Sequence, residues 1–426
     1  MPEQITSDNQ QLQLAVNELK VLNDIATTIS SIQSVDDIID QIVIKCIKHL
    51  QVEEGMVSLL EKNSDDQQFH TMIRRQGSSA SKIPNNLDNR LTGWMLKNRS
   101  IFLSNNIEKD ERLHFLDDFS YSFKSILCVP LTVKADLIGY LAVFNKKDNA
   151  PFSNQDRRLL SIMGSQSAQV IENARLYEEE KALQSLQEEM NFAREIQLKL
   201  LPDSTPDVAG FEISATNIPA KSVGGDYYDF ISLHDKKLGF CIGDITGKGM
   251  PAAILMSNLQ ATFRSHALIF EDCCDCLKGT NKLLFKSTEP TKFATFFYGI
   301  LDPHTGTIEY ANGGHDAPLL FGSDNEAVPL NATGLLLGVM EESEYTKDSI
   351  LLQQGDILFL YTDGITEAMN PEGVELGLEK IIHLITDNRD KSVHEISGII
   401  LSEVKQHENH ASQSDDITLM LIKRLA

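Results

Sequence analysis

Four aspartates in the second half of this 426-residue chain share one placement. Asp226 follows Val223-Gly224-Gly225, and Asp244 closes the apolar run that begins at Gly239. Asp363 closes Phe359-Leu360-Tyr361-Thr362 and precedes Gly364, and Asp415 introduces the apolar run from Ile417. Apolar strands that end in Asp beside glycine bring carboxylates and exposed backbone carbonyls to a common sheet edge. Like charges gathered there repel one another unless cations neutralise them. An oxygen-only donor set, without His or Cys, favours Mg²⁺ or Mn²⁺ over zinc or copper. The chemistry such a set could perform is two-metal hydrolysis. Taken singly, each Asp beside a glycine also reads as ordinary turn chemistry.

The elements that must position these residues are legible in the pattern of apolar residues. Beyond residue 207 the spacing predicts strands at Phe211–Asn217, Leu238–Asp244, Ala294–Asp302, Thr307–Ala311, Ile357–Thr362 and Ile417–Arg424. Helices are predicted at Pro251–His266, Cys273–Ser287, Leu378–Asp387 and Ser392–His407. Before residue 150, a helix at Val35–Leu50 and short apolar runs between about 55 and 145 predict an α+β unit with an antiparallel sheet. From Ser153 to Leu201 the pattern is helical, with no proline and only Gly164 near its start, until Pro202 and Pro206 end it. Leu183, Leu186, Met190, Ala193, Gln197 and Leu200 step by three and four, as in a coiled-coil seam with one polar member. Leu12, Ala15, Leu19, Leu22, Ala26 and Ile29 repeat that spacing near the start. Helices at 10–30 and 178–201 are therefore expected to make a homodimer, the alternative being that each packs on its own domain.

Composition excludes several partner classes. The formal net charge is −23, and it is uneven: residues 1–200 hold 22 basic and 28 acidic side chains, against 16 and 33 in residues 201–426. Such acidity argues against a broad nucleic-acid surface and against adsorption to anionic lipid. The start, Met1-Pro2-Glu3-Gln4, has no basic segment leading into an apolar one, and no apolar run reaches membrane-spanning length. Six irregularly spaced cysteines make no disulfide framework, so a reducing cytoplasm is expected. Cys273, Cys274 and Cys276, downstream of His266, lack a second ligand pair at zinc spacing and read as buried thiols at a helix end.

Seven motifs in order resemble the metal-dependent PP2C-type protein phosphatases, in their bacterial SpoIIE/RsbU-like branch. They are Ala193-Arg194-Glu195-Ile196-Gln197 with Leu200-Leu201-Pro202, Gly224-Gly225-Asp226, Gly243-Asp244 through Gly249, Phe293 through Gly299, Ala311-Asn312-Gly313-Gly314-His315, Tyr361-Thr362-Asp363-Gly364 and Asp415-Asp416-Ile417-Thr418. The resemblance implies a β-sandwich flanked by helices and two Mn²⁺ or Mg²⁺ ions. Asp244 would bridge them, the Ile245 carbonyl and Asp226 would serve one, and Asp363 and Asp415 the other. It also implies attack on phosphorus by a water the two ions activate. Eukaryotic relatives read Asp-Gly-His-Gly where this chain has Asp244-Ile245-Thr246-Gly247, so their proposed general acid is missing. His315 is a candidate substitute or a turn element, and Lys248 a phosphate contact or a solvated charge. Asp416 and Asp229 read as supporting or capping groups.

Residues of about 20–177 resemble a GAF domain through Leu91-Thr92-Gly93-Trp94, Ser125 through Leu131, Leu137 through Leu141, and the helix ending Ile171 through Tyr177. Asn145-Lys146, Phe152 and Asp156 match part of a signature of cyclic-nucleotide GAF domains, with Arg157 departing from its final Glu. The resemblance allows a small-molecule ligand there without naming one, and Lys146 with Asp156 is expected to form a structural ion pair. The expected layout is an N-terminal helix at 1–20, a GAF sensor at 21–177, a transmitter helix at 178–201 and a phosphatase domain at 202–426. The expected function is hydrolysis of phosphoserine or phosphothreonine on a phosphorylated regulatory protein, of the anti-sigma-factor-antagonist class. The competing expectation is a catalytically silent scaffold that sequesters such a partner; small-molecule phosphatase activity is a third.

Overall fold

The structure, a computed structural model, describes residues 16, 19–20, 34–62, 69–77, 85–113, 123–289, 291–323, 326–409 and 411–425. Most of the seam expected at 10–30 lies outside them; residues 16, 19 and 20 are helical. The chain forms two compact units that divide between Ser185 and Leu186. Among the described residues no helix is long and apolar enough to cross a membrane.

The first unit is a five-stranded antiparallel sheet, ordered β2-β1-β5-β4-β3. Its strands are β1 (Val52–Lys62), β2 (Phe69–Gly77), β3 (Phe102–Ser104), β4 (Ile126–Val133) and β5 (Asp136–Lys146). Both faces of β5 are covered, which is why its apolar run is continuous rather than alternating. Helix α1 (Val35–Leu50) sets Ile39, Ile42, Val43 and Cys46 on one face, beside Leu160, Met163 and Ile171. Ser34 caps α1 through its hydroxyl, with Asp36 and Asp37 in the first turn where the helix dipole favours them. The other face packs Met56, Tyr140 and Phe144 against Leu91 and Met95 of α2 (Asn85–Asn98), a helix the apolar spacing did not announce. Lys146 pairs with Asp156 at 3.1 Å, the structural role expected of it.

Helix α3 runs unbroken from Asn154 to Leu198. Its last turn tightens, with the Leu200 N–H donating to the Gln197 carbonyl at 2.9 Å before Pro202. Leu183 and Leu186 are exposed in the single chain.

The second unit is a sandwich of two five-stranded sheets, each covered by a helix pair. One sheet runs β13-β10-β9-β8-β7 and the other β12-β11-β14-β15-β6. Their principal strands are β6 (Phe211–Ile218), β7 (Tyr227–Ser232), β8 (Leu238–Ile245), β9 (Ala294–Asp302), β10 (Thr307–Gly313), β14 (Ile357–Tyr361) and β15 (Ile417–Arg424). Shorter strands are β11 (Leu319–Phe321), between β12 and β14, and the edge strands β12 (Ala327–Pro329) and β13 (Asp348–Leu351). Alternate side chains divide between two cores, as a two-residue period requires. Phe240, Ile242, Phe297, Leu358, Leu360, Met420 and Ile422 meet between the sheets. Cys241, Ile245, Phe296 and Tyr298 face outward under α4 (Met250–Ala267) and α5 (Cys273–Ser287). Phe359, Tyr361, Leu419 and Leu421 face the other way, under α6 (Leu378–Asp387) and α7 (Val393–Glu408). This is the helix-flanked β-sandwich expected.

Candidate active site

The pairing register puts the four aspartates at one end of the sandwich. Tyr227 pairs with Gly243, so Asp226 before β7 and Asp244 near the end of β8 share an edge. Tyr361 pairs with Leu419, so Asp363 after β14 and Asp415 before β15 share the corresponding edge of the other sheet.

Asp226 is held most tightly, at 3% exposure. Its Oδ2 accepts from Thr362 Oγ1 at 2.8 Å and from Thr418 Oγ1 at 2.5 Å, so both strands of the opposite sheet grip it. Asn217 Nδ2 donates to Thr418 Oγ1 at 2.7 Å and orients that hydroxyl. Beneath the turn, the Asp416 carboxylate accepts the N–H groups of Ala220 at 2.7 Å and Gly225 at 2.5 Å. Only glycine fits above it. A Cβ on Gly224 would collide with the Asp416 carboxylate, and one on Gly225 would stand 2.8 Å from the Ile245 carbonyl oxygen and 3.7 Å from Asp244 Oδ1. That close approach brings the Asp226 turn, the Ile245 carbonyl and Asp244 together.

Gln197 completes the cradle. Its side-chain amide donates to the Gly224 carbonyl at 2.7 Å and accepts from the Gly224 N–H at 3.1 Å, and the residue is buried. Sequence spacing made Gln197 the polar member of a coiled-coil seam; its amide is instead committed within its own chain. The reason is the tightened end of α3, which brings this residue against the Gly-Gly turn.

Burial, and then mutual repulsion, raise the affinity of three of these carboxylates for protons. Burial, then the charge of Asp244, pushes Asp226 well above the usual carboxylate range. Asp244 is pushed up to about 7 by burial and then by Asp363 and Asp415. Asp363 rises to about 6 through burial and then Asp415. Lys248 answers this charge, its ammonium standing 2.8 Å from Asp415 Oδ2. Oxygen donors that destabilise one another in this way fit hard divalent cations. Among the described residues, Asp272, Cys273 and Cys274 form the only trio of metal-type donors within 4.8 Å of one another. That trio is explained by the start of α5: Asp272 caps it by accepting from the Cys274 N–H at 2.8 Å and pairs with Lys347 at 3.1 Å. Burial raises both thiols, against a thiolate ligand or nucleophile.

His315 is 4% exposed, and its Nδ1 lies 2.8 Å from Thr295 Oγ1, while the Asp244 N–H donates to that same hydroxyl at 3.3 Å. Burial depresses its pKa to about 4, so it is neutral near pH 7. That suits a turn element, not an imidazolium acid. Asp229 is also apart from the cluster's edge, accepting from Tyr227 Oη at 2.6 Å and pairing with Arg264 at 3.1 Å.

Comparison with known proteins agrees with this geometry. Residues 234–425 match the family described as Stage II sporulation protein E (SpoIIE), and residues 34–171 match the GAF domain. The chain joins a GAF domain to a SpoIIE-type domain. The SpoIIE-type domain shares its fold with the SiaA-PP2C domain of Pseudomonas aeruginosa, at a TM-score of 0.51 and 20% identity, covering 57% of this chain and 98% of that one. The chain is 31% identical over 263 residues to Protein IcfG of Synechocystis sp., covering 55% of this chain and 41% of IcfG. It is 29% identical over 254 residues to Phosphoserine phosphatase RsbU of Bacillus subtilis, covering 58% of this chain and 75% of RsbU. The chain therefore spans less than half of IcfG and three quarters of RsbU.

Sequence reasoning named the carboxylates of the SpoIIE-type domain but not what holds them. Thr362 and Thr418 stood inside quoted motifs, yet their shared target lies 136 and 192 residues away. A hydroxyl after an apolar strand carries no mark of so distant a partner.

Proposed function

We propose that this chain is a metal-dependent protein phosphatase acting on phosphoserine or phosphothreonine, regulated through its GAF domain. The observation that carries the reading is the convergence of Asp226, Asp244, Asp363 and Asp415 with the Ile245 carbonyl at one end of a SpoIIE-type sandwich. Two ions, Mn²⁺ or Mg²⁺, would be held with Asp244 between them, Asp226 and the Ile245 carbonyl on one side and Asp363 and Asp415 on the other. Bound there, such ions supply Lewis-acid activation of a water nucleophile and neutralise phosphoryl charge.

The chain's own residues prepare that chemistry. Thr362 and Thr418 fix Asp226 Oδ2. Asp416 and Gln197 hold the backbone of the Gly224-Gly225 turn, and Thr295 anchors the backbone of Asp244. Every carboxylate the resemblance requires is present, which favours an enzyme over a silent scaffold. No cysteine nucleophile is involved, since the thiols of the SpoIIE-type domain are buried.

The substrate class is a phosphorylated partner-switching protein, as the family resemblance implies, and the name of one relative, Phosphoserine phosphatase RsbU, supports phosphoserine as the group attacked. The strongly acidic second half suits a partner recognised by shape and a single phosphate rather than by acidic flanks. The layout read from the sequence places the transmitter at 178–201. The exposed Leu183 and Leu186 suit a helix paired with a second copy. Signals from the GAF domain would reach Asp226 through Gln197, at the end of that helix.

The test is phosphate release by the full chain from a phosphoserine protein and from a small phosphomonoester, after chelation and again after Mn²⁺ is restored. The expected result is Mn²⁺-dependent release, faster from the protein. Release that ignores chelation contradicts the metal-dependent reading, and release from the small ester alone contradicts the substrate class.

A further inference from the structure

The loop between β8 and α4 carries Lys248 between two glycines in the left-handed region, Gly247 at φ 105° and Gly249 at φ 74°. Neither conformation suits an L side chain, so the path of this loop is set by its glycines. It directs the Lys248 ammonium at the acidic end of the sandwich. There Nζ lies 2.8 Å from Asp415 Oδ2 and donates to the Ser414 carbonyl at 2.6 Å. The lysine side chain is 47% exposed and that of Asp415 31%, so the pair stands at the mouth of the site. One oxygen of a proposed ligand is therefore already occupied by a cation the chain supplies.

We propose that Lys248 is a built-in counter-cation that competes with the divalent ion for Asp415. This rests on the reading of Asp363 and Asp415 as ligands of one ion. Without that ion, the lysine offsets repulsion within the carboxylate cluster; when the ion binds, Asp415 exchanges the ammonium for the metal. The lysine thereby sets the concentration of divalent ion at which the site fills. A solvated lysine with no such role would leave that concentration unchanged. Lys292 provides the control. Its Nζ borders the same loop, 3.4 Å from where a Cβ on Gly247 would stand, but the ion pair to Asp415 is made by Lys248.

The experiment is a calorimetric Mn²⁺ titration of the chelated full chain, alongside Lys248→Met, Lys248→Arg and Lys292→Met. Lys248→Met should tighten the weaker class of Mn²⁺ sites by roughly two- to fivefold, the range of a half-exposed ion pair. Lys248→Arg should stay near the unsubstituted value, and Lys292→Met should gain less than Lys248→Met. Unchanged or weaker binding in Lys248→Met overturns the proposal, as does an equal gain in Lys292→Met, which would reveal a general field. If the unsubstituted chain takes up no Mn²⁺ saturably, the metal reading itself fails, and this inference with it.

Discussion

Gln197 makes two hydrogen bonds to the backbone of Gly224, donating to its carbonyl at 2.7 Å and accepting from its N–H at 3.1 Å. Gly224 is two residues from Asp226, the most deeply buried of the four candidate carboxylates. The last turn of a 45-residue helix is thereby tied to the turn that presents a proposed metal ligand.

Gln197→Ala should therefore cost metal binding as well as folding. Losing two buried hydrogen bonds removes about 1–3 kcal/mol of stability. Mn²⁺ affinity, measured by calorimetry, should fall about tenfold, in line with other supports of metal ligands. A variant that loses stability but binds Mn²⁺ as before would limit Gln197 to packing.

Thr418→Val keeps the shape of the side chain and removes the hydroxyl on Asp226 Oδ2. Mn²⁺ affinity should drop by about 10–100-fold, and Thr418→Ser should recover most of it. An electron paramagnetic resonance titration of free Mn²⁺ reads this without turnover. Equal affinities in the valine and serine variants would contradict the clamp.

The stability of the metal-free chain should depend on pH with a definite sign. Asp244 and Asp363 are raised to about 7 and about 6, above the ordinary value of 3.8 that applies once the chain unfolds. A carboxyl raised in the folded state contributes stability that is present below pH 4 and lost as pH rises through the folded value. Their contribution should thus decline between about pH 4 and pH 7. Thermal unfolding in chelator should show this decline, and Asp244→Asn should flatten it. Added Mn²⁺ should restore stability most at the alkaline end, where the carboxylates are charged. A metal-free chain whose cluster contribution rises over that interval would contradict the repulsion described for these aspartates.

Much of this fold was legible because the buried strands write themselves as apolar runs. Ala294–Asp302 and Ile417–Arg424 are covered on both faces and coincide with the predicted limits, as do the helices Cys273–Ser287 and Leu378–Asp387. Strand β7 was not anticipated, because Tyr227–Ser232 follows Gly-Gly-Asp directly and reads as the continuation of a turn. The short strands β11 and β12 have three residues each, too few to show a period. Asp226, Asp244 and Asp363 were legible as Asp beside glycine next to apolar strands, and Asp415 as an Asp introducing the last strand. Thr362, Thr418 and Gln197 gain their roles only when the two sheets and the end of α3 meet, and nothing local in the sequence marks that.

We propose that Asp244 and Asp363 hold the ions that drive phosphomonoester hydrolysis. It is tested most directly by measuring phosphate release from a phosphoserine protein in Mn²⁺, comparing the full chain with Asp244→Asn and Asp363→Asn. The unsubstituted chain should release phosphate in an Mn²⁺-dependent manner, and both variants, each still folded by thermal unfolding, should lose that release. Equal rates in all three proteins would contradict it.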